Sequence, residues 1–525
     1  MTHISRILLL TSVMLASLLT FTVQARETKS ERLLRREIGY LVKRSDSPRT
    51  LKAMEVYSRR QHRVLYSSDD GLLLHPASNL KIITTSFAFD RLGIRYVFST
   101  PIEFDGTRKA DTLAGDIVIV GMGDPIISYN ELDSAAQAIH LTGINYITGS
   151  VIIDISRFDS LQWGAGWMWD DEPESFAMFI SPATFNHDAI SVTVGTDSTG
   201  KTLVVTTEPA TSFVKVVSDA KPGTADSITV NRVMANGANV VVVSGTYTPE
   251  LSPQEFDFSV RHPDQYFGHV FKELLTKAGI HVGGNVSVTR ALPAGTSDSV
   301  LFSINHTIDS VVTYTNKNSD NLGAECLLRS VPLAAGKAGS ADTAIVMEKN
   351  FLADQGVDST EYYIVDGSGV SHYNLITPAA IVSVLCNNLD RPYGASFIHS
   401  LPVAGVDGSL DDRMKADYVR GKVLAKTGSI SGVSTLSGYV VVPHDTLVFS
   451  MMMQNFIGRS DSMRALQDSI CSVLAQYSPY SRTFATNLRR HHIGTYSAIP
   501  TRKHQLVKPK KARAAPGKAQ TKRTN

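Results

Sequence analysis

Ser78 and Lys81 stand three residues apart in HPASNLKIITTSFAFDRLG, the stretch from His75 to Gly93. On a helix, positions three apart lie one turn from each other on a single face. A serine hydroxyl is a poor nucleophile until a neighbour takes its proton. A lysine can do this when burial or a second cation lowers its pKa. Pro76 suits a helix start, and the Ile, Phe and Leu residues downstream have helical spacing. A serine at such a start also gains backbone N–H groups aimed at developing negative charge. The same pattern recurs as Ser212-Phe213-Val214-Lys215. That copy reads as a strand, where positions three apart point to opposite faces and cannot meet.

A second pattern, Ser-x-Asn, occurs at Ser128-Tyr129-Asn130, Ser303-Ile304-Asn305 and Ser319-Asp320-Asn321. Any one of them could be a turn or a cap. Only the third lies in polar residues running into a helix, a setting that can aim both side chains into a cleft. A third pattern is Lys426-Thr427-Gly428, followed by Ser429, on a strand. Gly428 leaves room there for a ligand to approach the backbone. Each pattern is weak alone, but their order along the chain is specific.

Ser-x-x-Lys, Ser-Asp-Asn and Lys-Thr-Gly in that order resemble the motif set of the penicillin-interacting serine enzymes, which include penicillin-binding proteins and serine β-lactamases. Longer segments narrow the resemblance. PASNLKIITT, GDPIIS, WMWDDEP, VDGSGVSHYNLITP, LPVAGVDGSL and KTGSISGVSTLSGYV are similar to the S13 family of D-alanyl-D-alanine carboxypeptidases and endopeptidases, the penicillin-binding protein 4 type. The gap between Ser78 and Ser319 is far longer than in a compact serine β-lactamase, and in this family it holds two extra domains.

The resemblance implies a mechanism. Ser78 would attack the carbonyl of the penultimate D-alanine of a peptidoglycan stem peptide, and Lys81 would accept its proton. The backbone N–H groups of Ser78 and Ser429 would hold the oxyanion. Ser319 would pass a proton to the leaving amine, with Asn321 holding the peptide. Lys426 and Thr427, beside Gly428, would bind the terminal carboxylate. Asp171 aligns with an acidic residue that contacts the diaminopimelate amino group, although Asp170 is adjacent and offers the alternative register. Penicillins would acylate Ser78. No metal or organic cofactor is implied. A catalytically silent peptidoglycan-binding protein, or a serine β-lactamase or esterase on the same fold, are the other readings. The intact motifs weigh against the first and the long gap against the second.

The elements that must position these residues are legible as texture. Residues 31–44 and 50–59 look partly helical, and a hairpin is expected about Asp69-Asp70-Gly71. From 98 to 289 the chain alternates strands and turns, with one amphipathic helix in DQYFGHVFKELLTKAGI. From 290 to 478 helices return, and the segment from Gly421 to Asn455 reads as three strands. The expected fold is therefore an α/β multi-domain one. A discontinuous penicillin-binding domain (26–97 and 290–478), with an antiparallel sheet flanked by helices, carries a strand-rich insertion at 98–289 of two domains. GMGDP lacks the third glycine and the following helix of a dinucleotide site.

The 525 residues exceed what one hydrophobic core serves, and a hydrophobic content of 43% is ordinary for a globular protein. Arg6 followed by the apolar run Ile7–Leu19 and by Val23-Gln24-Ala25 reads as a cleaved signal peptide of residues 1–25. With the resemblance, this implies a periplasmic enzyme. Three cysteines, Cys326, Cys386 and Cys471, are too few and too far apart for a disulfide framework. The net charge of +2 conceals an acidic body and a basic C-terminus. Residues 479–525 are rich in Lys, Arg and Pro and are expected to be a disordered tail. Such a tail could tether the protein to an anionic envelope surface, and export takes it away from nucleic acid.

Overall fold

The computed structural model describes residues 27–45, 49–200, 202–248, 253–291 and 299–495. The segment expected to be a signal peptide, residues 1–25, and residues 496–525 lie outside them. A five-stranded antiparallel sheet has the order Arg63–Ser68, Leu51–Ser58, Asp445–Gln454, Val433–Val442, Val423–Ile430. Both faces are covered. Met452 turns to one face, where Ile82, Phe87, Leu328 and Ile381 form a core. Met451 and Met453 turn to the other, against Leu34, Ile38, Leu466 and Ile470. The alternation is the two-residue period of a strand, and burial on both sides explains why these strands read as nearly continuous apolar runs.

On the first face lies the helix Leu80–Leu92, in which every residue from Leu80 to Phe89 is buried. A helix buried all round is a central core element, and this is what drags Lys81 out of water. The second face carries the helices Lys29–Arg44, Asp461–Leu474 and Ser481–Thr495.

The strand-rich part is built on a seven-stranded sheet, in which Val97–Lys109 pairs antiparallel with Thr112–Val120. The helices Tyr129–Leu141 and Pro263–Lys277 pack there, and two three-stranded sheets adjoin it within one shared core.

Several expectations need correction. Residues 51–58 form a strand, and the hairpin turn lies at 59–62; Leu74 makes only an isolated bridge to Ile376. The boundary expected at 289 is overrun, because Ser299–Thr307 pairs with Val97–Lys109 in the inserted sheet. The tail does not begin at 479. Ser481–Thr495 is helical, with Phe484 and Leu488 buried. Their spacing of four residues was the available signal, hidden by the surrounding charges.

Candidate active site

Pro76 begins a tight turn, Ala77–Asn79, that runs directly into the helix Leu80–Leu92 and places Ser78 at its mouth. The turn is held on the sheet by two hydrogen bonds. The Asn79 side chain donates to the Lys426 carbonyl at 2.9 Å, and the Thr435 hydroxyl donates to the Pro76 carbonyl at 2.9 Å. Gly428 makes this contact possible. A Cβ there would lie 2.2 Å from Thr435 Oγ1 and 3.0 Å from both the Pro76 oxygen and the Ser78 nitrogen.

Lys81 is fully buried one turn on from Ser78. Its Nζ donates to Ser78 Oγ at 3.0 Å, to Asn321 Oδ1 at 2.5 Å and to the Ser368 carbonyl at 2.7 Å. Burial pulls its pKa down to about 8, against the carboxylates of Asp320, Asp366 and Glu325, which raise it. Two of its three neighbours are pure acceptors. A neutral amine can satisfy both with N–H groups and still turn its lone pair to the serine hydroxyl.

Ser319 ends the helix Ile308–Asn318 in the left-handed region, at φ 59°. Asp320 then caps the next helix, Asn321–Ala334, by accepting from the Gly323 amide. This abrupt change of direction points the Ser319 and Asn321 side chains into the same cleft. Asn321 also donates to the Phe176 carbonyl at 2.7 Å, so the strand-rich part supplies a wall of the site.

Lys426 comes from the edge strand Val423–Ile430, donates to Ser319 Oγ at 2.8 Å and is fully buried. Burial, and then the charge of Lys81, press its pKa well below the usual lysine range. Thr427 lies half-buried, 2.7 Å from Ser409 Oγ, and Ser429 is exposed on the same strand. An edge strand leaves alternate backbone groups free to pair with an extended peptide.

The structure thus brings Ser78, Lys81, Ser319, Asn321 and Lys426 together, with Thr427, Gly428 and Ser429 along one side. Asp171 is half-buried and accepts from the Met168 amide at 2.9 Å, while Asp170 is exposed. Among the described residues neither carboxylate bonds to the three motifs. Ser212 sits in a different place, bonded to Glu273 at 2.6 Å and 2.9 Å from His269 Nε2. Ser128 caps the helix Tyr129–Leu141. Sequence reasoning missed the carbonyls of Phe176 and Ser368. The latter lies in Asp366-Gly367-Ser368-Gly369, a turn by composition, but nothing in a sequence ties that turn to Lys81.

The family model described as D-Ala-D-Ala carboxypeptidase 3 (S13) matches residues 37–477. The chain belongs to the S13 family. A D-alanyl-D-alanine carboxypeptidase from Actinomadura sp. is 31% identical over 443 residues, covering 81% of this chain and 81% of that protein. A second, from Haemophilus influenzae, is 25% identical over 391 residues, or 72% of this chain and 80% of that one. The crystal structure of penicillin-binding protein 4 from Haemophilus influenzae superposes with a TM-score of 0.73 at 22% identity, covering 84% of this chain and 99% of that one. That likeness shows the fold, a penicillin-binding domain with additional strand-rich domains. This S13 protein is accordingly a serine-type D-Ala-D-Ala carboxypeptidase.

Proposed function

We propose that this S13 enzyme is exported and cleaves D-alanyl-D-alanine ends and D-alanyl cross-links of peptidoglycan through an acyl-enzyme on Ser78. The observation that carries this reading is the buried Lys81 amine, 3.0 Å from Ser78 Oγ. Lys81 takes the serine proton as Oγ bonds to the carbonyl carbon of the penultimate D-alanine. The oxyanion that forms lies between the backbone N–H groups of Ser78 and Ser429, which need no reorganisation to receive it. The C–N bond then breaks. Ser319, bonded to Lys426 at 2.8 Å, delivers the proton to the departing amine. Lys426 and Thr427 hold the carboxylate of the leaving D-alanine, and Asn321 holds the acyl side. Water attacks the ester, returning Ser78 and releasing the shortened peptide.

A β-lactam ring presents a carbonyl and a carboxylate at similar positions. It acylates Ser78 but leaves no departing group to vacate the cleft. Asp171, close in sequence to the Phe176 wall, is the candidate contact for the diaminopimelate amino group. Residues 496–525 form an electrostatic tether to an anionic envelope surface.

Incubation with a fluorescent penicillin tests the nucleophile. Wild type takes the label and Ser78→Ala does not. A silent peptidoglycan-binding protein gives no covalent band in either, and a β-lactamase loses its label within seconds. Digestion of purified sacculi then reads the bonds cut. Free D-alanine without loss of cross-links removes the endopeptidase part of the proposal.

A further inference from the structure

Beneath Lys81, the loop Asp366–Ser371 is held by two buried carboxylates. Glu325 Oε1 accepts from the amides of Gly367 and Ser368, both at 2.9 Å, while its Oε2 accepts from Arg329 at 2.7 Å. Asp366 Oδ1 accepts from the Gly369 amide at 2.9 Å and from Asn374 Nδ2 at 2.7 Å. Asp366 Oδ2 accepts from the Ser371 amide at 2.7 Å and from Trp167 Nε1 at 3.0 Å. Every one of these partners is a donor, so neither carboxyl has an acceptor to which a proton of its own could be given. Burial and the neighbouring Glu325 raise the Asp366 pKa, against the Ser371, Gly369 and Trp167 donors that lower it; a site furnished only with donors is built for the ionised carboxylate.

The loop passes this charge on. The peptide joining Ser368 to Gly369 gives its N–H to Asp366 and receives the Lys81 amine on its carbonyl, at 2.7 Å. The preceding peptide gives its Ser368 N–H to Glu325 and receives the Thr84 hydroxyl on the Gly367 carbonyl at 2.8 Å. Each peptide is polarised at its N–H end by an anion, which makes its carbonyl a better acceptor. The loop also sets position. Gly369, at φ +83°, packs so closely on the nucleophile turn that a Cβ there would lie 1.9 Å from the Ala77 oxygen.

We infer that Asp366 and Glu325 are positioning residues for the acylation step. Through the Ser368 carbonyl they hold the Lys81 amine on Ser78 and stabilise its protonated form. The inference rests on the acyl-enzyme reading given above. Other charged groups face Lys81 from each packed element. Lys426 on the edge strand opposes its protonation. Asp320, at the head of the helix Asn321–Ala334, favours it. On that helix Arg329 is paired with Glu325. From the helix Ala341–Asp354, Glu348 reaches Thr84, and burial lifts its pKa to about 8. Asp366 is the anion joined to the amine by a single peptide.

The test is the rate of acylation of the full-length protein by a chromogenic cephalosporin, measured from pH 5 to pH 10. With the Asp366 charge removed, the Lys81 ammonium gives up its proton more easily. The acidic limb of the profile in Asp366→Asn therefore moves to lower pH, by about one unit. The plateau falls by about tenfold to a hundredfold because the amine is less well aimed. Glu325→Gln/Arg329→Gln removes a neutral pair and keeps the loop amides paired. It moves the limb the same way by less, and it serves if Asp366→Asn does not melt cooperatively. A loss equal at every pH, or a limb that stays in place in the folded variant, overturns the inference. Absence of acylation in the wild type would instead overturn the function on which it rests.

Discussion

The amide oxygen of Asn321 accepts a hydrogen bond from Lys81 Nζ at 2.5 Å across 240 residues of chain, while the other end of the same side chain donates to the Phe176 carbonyl. One side chain thus connects the proposed base to the wall that the strand-rich part contributes. Asn321→Ala leaves the Phe176 carbonyl without this donor and frees Lys81 to turn from Ser78. The expected result is a fall in penicillin acylation of at least about tenfold, together with a stability loss of about 1–3 kcal/mol. Stopped-flow acylation and thermal melting read the two effects separately.

Lys81→Ala removes the proposed base and is expected to slow acylation by at least about a hundredfold. Ser212→Ala is the matched control. Its serine has the same Ser-x-x-Lys spacing but is bonded to Glu273, and it should leave acylation unchanged. Near-normal acylation of Lys81→Ala around neutral pH would make Lys81 a structural residue.

Gly428→Ala is expected to impair acylation more than folding. The added methyl group would meet Thr435 Oγ1 and the backbone of Pro76 and Ser78, pushing the Ser78 turn off the edge strand. Labelling by a fluorescent penicillin should fall by about a hundredfold, the usual effect of misplacing a reacting group by an ångström. A fully labelled variant would mean that the turn can move without consequence.

Glu348 predicts a pH dependence of stability. Burial raises its pKa from 4.5 to about 8. Below pH 4.5 folded and unfolded chains both carry the proton, and the group has no effect. As pH rises toward 8 the unfolded chain ionises while the folded one stays protonated. Stability then falls by up to about 1.4 kcal/mol per pH unit, and the fall stops above the folded pKa. Glu348→Gln should abolish this component. Chemical denaturation of wild type and variant at pH 4, 6, 8 and 9 measures it, and parallel curves would refute the assignment.

The C-terminus separates into two parts that truncation can distinguish. Removing residues 496–525 should leave hydrolysis of a small soluble peptide unchanged and weaken retention on anionic vesicles or sacculi at low salt. The difference should vanish near 1 M salt, where the Debye length is about 3 Å. Cutting at 479 also removes Phe484 and Leu488 from the core beside Leu34 and Ile38. Loss of the buried Phe484 side chain alone is worth about 3–5 kcal/mol, so this shorter chain should melt markedly lower.

The residues of the candidate site were legible because each motif sits on an element whose periodicity is local. Leu80–Leu92 has helical spacing, and Val423–Ile430 has a strand pattern and a turn after it. What was not legible depended on distant partners. Leu51–Ser58 contains Leu, Ala, Met and Glu, all good helix formers, yet it pairs along its whole length with Asp445–Gln454. Asp366 and Glu325 look like ordinary surface carboxylates until the fold buries them under Lys81. The Phe176 carbonyl is a backbone group, and no residue type advertises it.

The position of Leu51–Ser58 between Arg63–Ser68 and Asp445–Gln454 means that the sheet closes only when a late part of the chain is present. Whenever the chain is delivered from its N-terminus, the first two strands come early with only each other to pair with, and an isolated hairpin is marginal in water. The partner that completes the sheet is synthesised almost last. Lys426 and Thr435, which hold the Ser78 turn, arrive shortly before it. A nascent chain therefore carries Ser78 and Lys81 long before they can react. The order of the strands itself delays assembly of the site until most of the chain is present.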